Sequence, residues 1–197
     1  MKVRNGFVSN SSSSSFIVGF PKLPSSPEEL EKMMFDSPGE VQPYDFNDAT
    51  STIEVAKRVF NDMSDGNFKT ARLTKKKAVE VILEGYFPGR PPYPFGRKNE
   101  SDEIAEAYKA ETGKSVYDES ADPVVVKLHG KAQQKEWDLD RKVQQVAAKA
   151  FLEGFWPQLK GKKVFRFEYS DNDGNFGSNL EHGNIFRKLP HVRISKH

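Results

Sequence analysis

The chain has no cysteine among its 197 residues. Disulfides, cysteine-ligated zinc and thiol nucleophiles are thereby excluded. Long apolar runs are missing too. Nothing approaches the ~20 residues of a membrane-spanning helix, and the basic start Met1-Lys2-Val3-Arg4 leads into no apolar stretch of signal-peptide length. A cytoplasmic protein with no membrane partner is the expectation. Nor does one charge dominate. Thirty basic residues face 28 acidic ones, for a net charge of +2, too even for the one-signed patch of a nucleic-acid surface. Lys75-Lys76-Lys77 and the group Lys160, Lys162 and Lys163 are read as solvated helix ends and loops. The chain also has no Gly-x-x-x-x-Gly-Lys phosphate loop and no Gly-x-Ser-x-Gly nucleophile turn.

What it has instead is aromatic mass and a run of hydroxyls. Hydrophobic residues reach only 36%, but 15 Phe, 6 Tyr and 2 Trp bury large areas each. The stretch "RNGFVSNSSSSSFIVGF" sets five serines directly against Phe16-Ile17-Val18, which reads as a central strand with apolar residues on both faces. Side chains alternate along a strand. Continued backward, the strand carries Ser12 and Ser14 on the face of Phe16 and Val18, and Ser11, Ser13 and Ser15 on the face of Ile17. Such a hydroxyl-lined strand end suits a phosphate or another polyhydroxyl ligand, with Arg4 as a nearby cation. The competing reading is a flexible low-complexity tail. Against it stand Phe7, Val8 and the lack of any spacer before the strand.

Between the termini the pattern is helical. Ser26-Pro27-Glu28-Glu29 carries cap, first-turn proline and capping-box acid, with Leu30, Met33 and Met34 inward. A second helix starts near Ser51 with Ile53, Ala56, Val59, Phe60 and Met63 at helical spacing. A third starts near Thr74, with Ala78, Val81, Ile82 and Tyr86 inward. The proline-rich stretch at residues 87–98 reads as an extended connector. Its Arg90, Tyr93, Phe95 and Arg97 could grip a protein partner. Asn99 or Ser101 caps a fourth helix, which ends at Gly113. The last helical region, about residues 124–156, is expected to turn Trp137, Leu139, Val143, Val146, Ala147, Ala150 and Phe151 inward.

Strand alternation returns at residues 164–169, with Phe165, Phe167 and Tyr169 on one face, and at residues 191–197, with Val192 and Ile194 inward. The fold class expected is therefore α+β: one domain over residues 1–197, in which N- and C-terminal strands form a small, mostly antiparallel sheet. The helical middle, about residues 26–157, packs on it. Asp171, Asp173, Glu181, His182 and His191 crowd the last segment. "DNDGNFGSNLE" misses the calcium-loop register, because position 12 falls on Leu180. A looser Mg²⁺ or Ca²⁺ site on Asp171 and Asp173 stays open beside a plain acidic turn. Glu181, His182 or His191 could act as acid or base, and Arg4, Arg166 and Arg193 could hold an anion with Ser11, Ser12, Ser13, Ser14 and Ser15.

"RNGFVSNSSSSSFIV" and "SDNDG…LEHGNIF…PHVRISKH" resemble segments of uncharacterised bacterial and phage-encoded proteins. The resemblance implies a bacterial or phage-infected cell as the source and carries no catalytic residue with it. Two function classes follow. One binds a phosphate-containing ligand, a nucleotide or phosphoester, with hydrolysis or group transfer open. The other is a non-enzymatic factor that binds a phage or host protein. Nucleic-acid binding is the third.

Overall fold

The computed structural model describes residues 13–64, 71–91 and 99–196. Arg4, Ser11, Ser12, Tyr93, Phe95, Arg97 and His197 lie outside the described residues. The chain divides into two compact units, Met1–Pro88 with Ala148–His197, and Gly89–Ala147.

The first unit is built on the two chain ends. Strand β1, Ser13–Phe20, lies between β5, Lys163–Ser170, and β6, His191–Lys196, antiparallel to both. The short β4, Ala71–Arg72, extends the sheet beyond β5, giving the order β4-β5-β1-β6. A second, two-stranded sheet pairs β2, Glu40–Val41, with β3, Thr50–Ser51. The expected α+β class and the joining of the termini in one antiparallel sheet are thus what the protein has. Phe16, Ile17, Val18 and Phe20 are all buried, as two-sided apolar patterning requires of a central strand.

On one face, Phe16, Val18, Phe20, Phe165, Phe167 and Tyr169 join a core with Leu30, Met34, Val55, Val59, Leu180 and Phe186. The Phe186 ring centre is 5.1 Å from that of Phe167 and 5.5 Å from that of Phe16. Helices α1, Pro27–Met34, and α2, Thr52–Ser64, close this side. Ser26 caps α1 as expected, but the Glu29 carboxylate reaches one residue further, to the amide and hydroxyl of Ser25. The buried side of α2 is Thr52, Val55, Ala56 and Val59, slightly rotated from the predicted one. On the other face of the sheet Ile17, Val164, Val192 and Ile194 are buried. Helix α3, Lys75–Leu83, capped by Thr74, contributes Ala78, Val81 and Ile82. It stops before Tyr86, whose side chain is exposed and whose backbone pairs with Ser195. The inward placement of Tyr86 is therefore corrected: the residue sits past the helix end, on the outer side of β6.

The second unit holds α4, Glu100–Thr112, with Asn99 as N-cap and Gly113 left-handed at φ 72°. It also holds the greater part of α5, Pro123–Phe155. Ser101 donates from its amide and hydroxyl to Glu136 at 2.9 and 2.6 Å. Arg90 donates to Gln144, whose amide returns a bond to the Pro91 carbonyl. On α5 the predicted face is wrong for Trp137, Leu139, Val143 and Val146, which are exposed, while His129, Ala132 and Gln144 are buried. The buried positions include the polar His129 and Gln144, so apolar periodicity does not mark the side that packs.

Candidate functional site

After β5 a single 3₁₀ turn, Asp171–Asp173, leads into α6, Gly174–His182. The helix starts hard against the strand end. A Cβ at Gly177 would lie 2.3 Å from the Ser170 carbonyl oxygen, so only glycine allows this approach. The consequence is that Glu181, near the far end of α6, points its carboxylate at the serine end of β1. Both Ser14 and Glu181 are essentially inaccessible to solvent.

Five predicted site residues converge there. Ser14 Oγ donates to Glu181 Oε1 at 2.9 Å and accepts from Arg193 Nε at 2.9 Å. Arg193 Nη2 donates to the same carboxylate oxygen at 3.3 Å. The Asp171 amide donates to Glu181 Oε2 at 3.0 Å. Arg193 Nη2 also stands 3.2 Å from His182 Nδ1. A guanidinium has no acceptor, so Nδ1 must accept. The ring proton is then on Nε2, which faces Glu181 Oε2 at 3.6 Å. Both imidazole nitrogens are turned toward the buried carboxylate and its arginine.

The remaining predicted residues go elsewhere. Ser15, one residue along β1, faces the opposite side of the sheet and accepts from Arg166 at 3.4 Å. Arg166 there joins Glu84 and Glu168, and Lys196 pairs with the same two carboxylates at 3.1 Å. Burial raises the Glu168 pKa, but Lys196 and Arg166 outweigh it and hold the carboxyl below its ordinary value. Arg166 and Arg193 are thus on different faces and cannot share a ligand. Ser13 pairs with Ser170 and Lys196 in the sheet. His191 lies at the other end of β6, paired with Val18, its Nδ1 2.9 Å from the Leu189 carbonyl. Asp173 is exposed, as the N-cap of α6.

Asp171, Glu181 and His182 each offer one ligand atom, all within 4.8 Å of one another. As arranged they fit a cation poorly. The Arg193 guanidinium already stands against the carboxylate and the imidazole, where it supplies the positive charge an ion would bring. Ligation through His182 Nε2 would also move the proton to Nδ1, against a donor.

A cavity of about 440 Å³ opens beside His182, within the range of small-molecule sites. Phe35, Pro38, Glu40, Val41, Thr52 and Arg187 are among its lining groups, with Gly183 at the end of α6. Arg187, which is in the lining, shares Asp36 with its chain neighbour Lys188, at 3.2 and 3.7 Å. The Tyr44 ring lies 5.4 Å from that of His182. None of this was visible in the sequence, where residues 37–48 carry no motif. An Arg-Lys pair after a short helix is too common to mark a site. Comparison with protein-family models, with curated proteins and with solved structures finds no match.

Proposed function

We propose that the protein binds a small phosphate-bearing ligand in the cavity beside His182, with Arg187 as its anion contact. The observation that carries the reading is the cavity itself: a space of ligand size with Arg187 in its lining. The Arg187–Asp36 pair is exposed on both sides. Such pairs are weak, so the guanidinium can turn to a bidentate phosphate contact. Behind the cavity the Ser14–Glu181–Arg193 cluster holds His182 in one orientation. Ser14 and Arg193, expected as ligand contacts, act in this reading as supports of the cavity wall.

The test is a titration with ribose 5-phosphate followed by amide NMR shifts. Perturbations should centre on residues 35–43 and 182–187, and Arg187→Ala should weaken binding roughly tenfold or more, as loss of a charged hydrogen bond implies. Inorganic phosphate released during the titration would mark the ligand as a substrate. No perturbation at 50 mM salt, or an unchanged affinity in Arg187→Ala, refutes the proposal.

A second reading, as a protein-binding factor, is favoured by α5. Val124, Leu128, Leu139, Val143 and Val146 are all exposed and fall within about 100° of arc at 3.6 residues per turn. Exposed apolar residues gathered on one helix face favour a contact surface, here interrupted by the exposed Lys135 and Lys142. The proline stretch stays a second candidate surface, with Arg90 bonded to Gln144 and Tyr93, Phe95 and Arg97 outside the described residues. A partner retained by the wild type and lost with Leu139→Lys and Val143→Lys would support it. Equal retention would refute it.

A further inference from the structure

We infer that the ligand of the cavity is a nucleotide, with its base stacked on the Tyr44–Phe46 pair and its phosphate at Arg187. The inference rests on the phosphate-ligand reading above and narrows it to one substrate class.

The two rings lie parallel, with 4° between their planes and 5.1 Å between their centres. Phe46 is 82% exposed and Tyr44 40%. A large aromatic ring left in water is an uncompensated apolar surface, and here two of them stack in parallel, with the outer face of Phe46 left as an open plate. Neither ring is in the cavity lining, but two connections join them to it. Gln42 and Pro43 line the cavity immediately before Tyr44 in the chain. The Tyr44 ring also abuts His182, which lines the cavity from the other side.

The chemistry of the neighbouring groups matches the three parts of a nucleotide. Every nucleobase presents a π-face, and aromatic side chains bind such faces with little regard to sequence or base identity. Glu40, exposed in the cavity wall, is an acceptor of the kind that takes a ribose hydroxyl. Arg187 supplies the fork for a phosphate. A sugar phosphate has no π-face and would leave the plate bare, and inorganic phosphate would leave most of the cavity unfilled.

The experiment compares adenosine 5′-monophosphate, ribose 5-phosphate and adenosine by calorimetric titration, against the wild type, Phe46→Ala and Arg187→Ala. Phe46 is on the surface, so its replacement leaves the fold intact, and far-UV circular dichroism checks this. The nucleotide should bind at least about tenfold more tightly than ribose 5-phosphate, the size of one base–aromatic stack. Phe46→Ala should erase that advantage while ribose 5-phosphate binds as before, and Arg187→Ala should weaken both. Equal affinity for the nucleotide and the sugar phosphate, or no effect of Phe46→Ala on the nucleotide, overturns the inference and leaves the phosphate reading standing. Adenosine binding as tightly as its monophosphate, or no binding by any of the three, overturns both.

Discussion

Removing the Arg193 side chain tests whether the buried cluster fastens the two chain ends together. Glu181 has a fully buried side chain, whereas that of Arg193 is 35% exposed. Breaking a buried ion pair on one side typically costs about 3–5 kcal/mol, because a charge is left without its partner. Here the carboxylate keeps its bonds from Ser14 and from the Asp171 amide, and water can enter where the arginine was. Arg193→Ala should therefore cost the lower amount, about 2–3 kcal/mol. Glu181→Ala should cost more. The guanidinium could turn to solvent, but the Ser14 hydroxyl and the Asp171 amide would lose an acceptor in a dry site, at about 1–3 kcal/mol each. The double variant should cost about 1.5–2 kcal/mol less than the sum, the signature of direct coupling. Because the chain has two units, the readout must belong to the first. The chain has two tryptophans, so Trp137→Phe leaves Trp156, in the first unit, as the fluorescent probe for urea unfolding. Strict additivity, or a loss below about 0.5 kcal/mol in Arg193→Ala, would show that the cluster does not hold the ends together.

Further tests address the two faces of the sheet. Glu168 titrates below its ordinary value, so the unfolded chain takes up its proton at a higher pH than the folded one. Its contribution is complete above the ordinary glutamate value of 4.5 and is lost as pH falls through the lowered one. Glu168→Gln should flatten the acid limb of a stability–pH curve, and an unchanged slope would remove the Arg166–Lys196 network from the account. Gly177→Ala should destabilise the first unit by clearly more than the ~1 kcal/mol typical of a point change, because the methyl would meet backbone rather than a movable side chain. A wild-type melting curve would contradict this. In native-state hydrogen exchange, amides along Ser13–Phe20 should be among the slowest, since both edges of β1 are paired. Fast exchange at Ser14 and Ser15 would mean that the polar half of the strand opens independently.

The strands were legible because their period is short and their apolar faces alternate without interruption. Phe165, Phe167 and Tyr169 announce one face, and Val192 and Ile194 another. Helix starts were legible where a cap signature exists, at Ser26, Thr74 and Asn99. The α5 face was not, because polar His129 and Gln144 are buried there while Leu139, Val143 and Val146 are exposed, so the apolar period does not mark the packed side. The convergence of Ser14, Glu181, His182 and Arg193 followed from pairing the first and last strands. The sequence left open which arginine shares their face, since Arg166 and Arg193 differ only in strand parity relative to Ser14. The cavity could not be read at all, because its wall joins the loop residues 37–43 to residues 182–187, which are far apart in the chain and carry no motif.

The two serines that adjoin Phe16, Ser14 and Ser15, have a physical reason in this arrangement. In a sheet covered on one face only, a strand leaving the core would alternate apolar and polar residues. Strand β1 is covered on both faces, and both coverings turn ionic at the same end: Glu181 with Arg193 on one side, and Arg166, Lys196, Glu84 and Glu168 on the other. Consecutive residues serve opposite faces. Ser14 therefore bonds to the first cluster and Ser15 to the second, both without solvent contact. A hydroxyl can donate and accept at once, as Ser14 does between Glu181 and Arg193. An apolar residue at either position would leave a charged group short of a partner. Two-sided burial next to two-sided charge thus suits two hydroxyl residues in succession, and Ser14→Ala and Ser15→Ala should each disturb only the ion cluster on their own face.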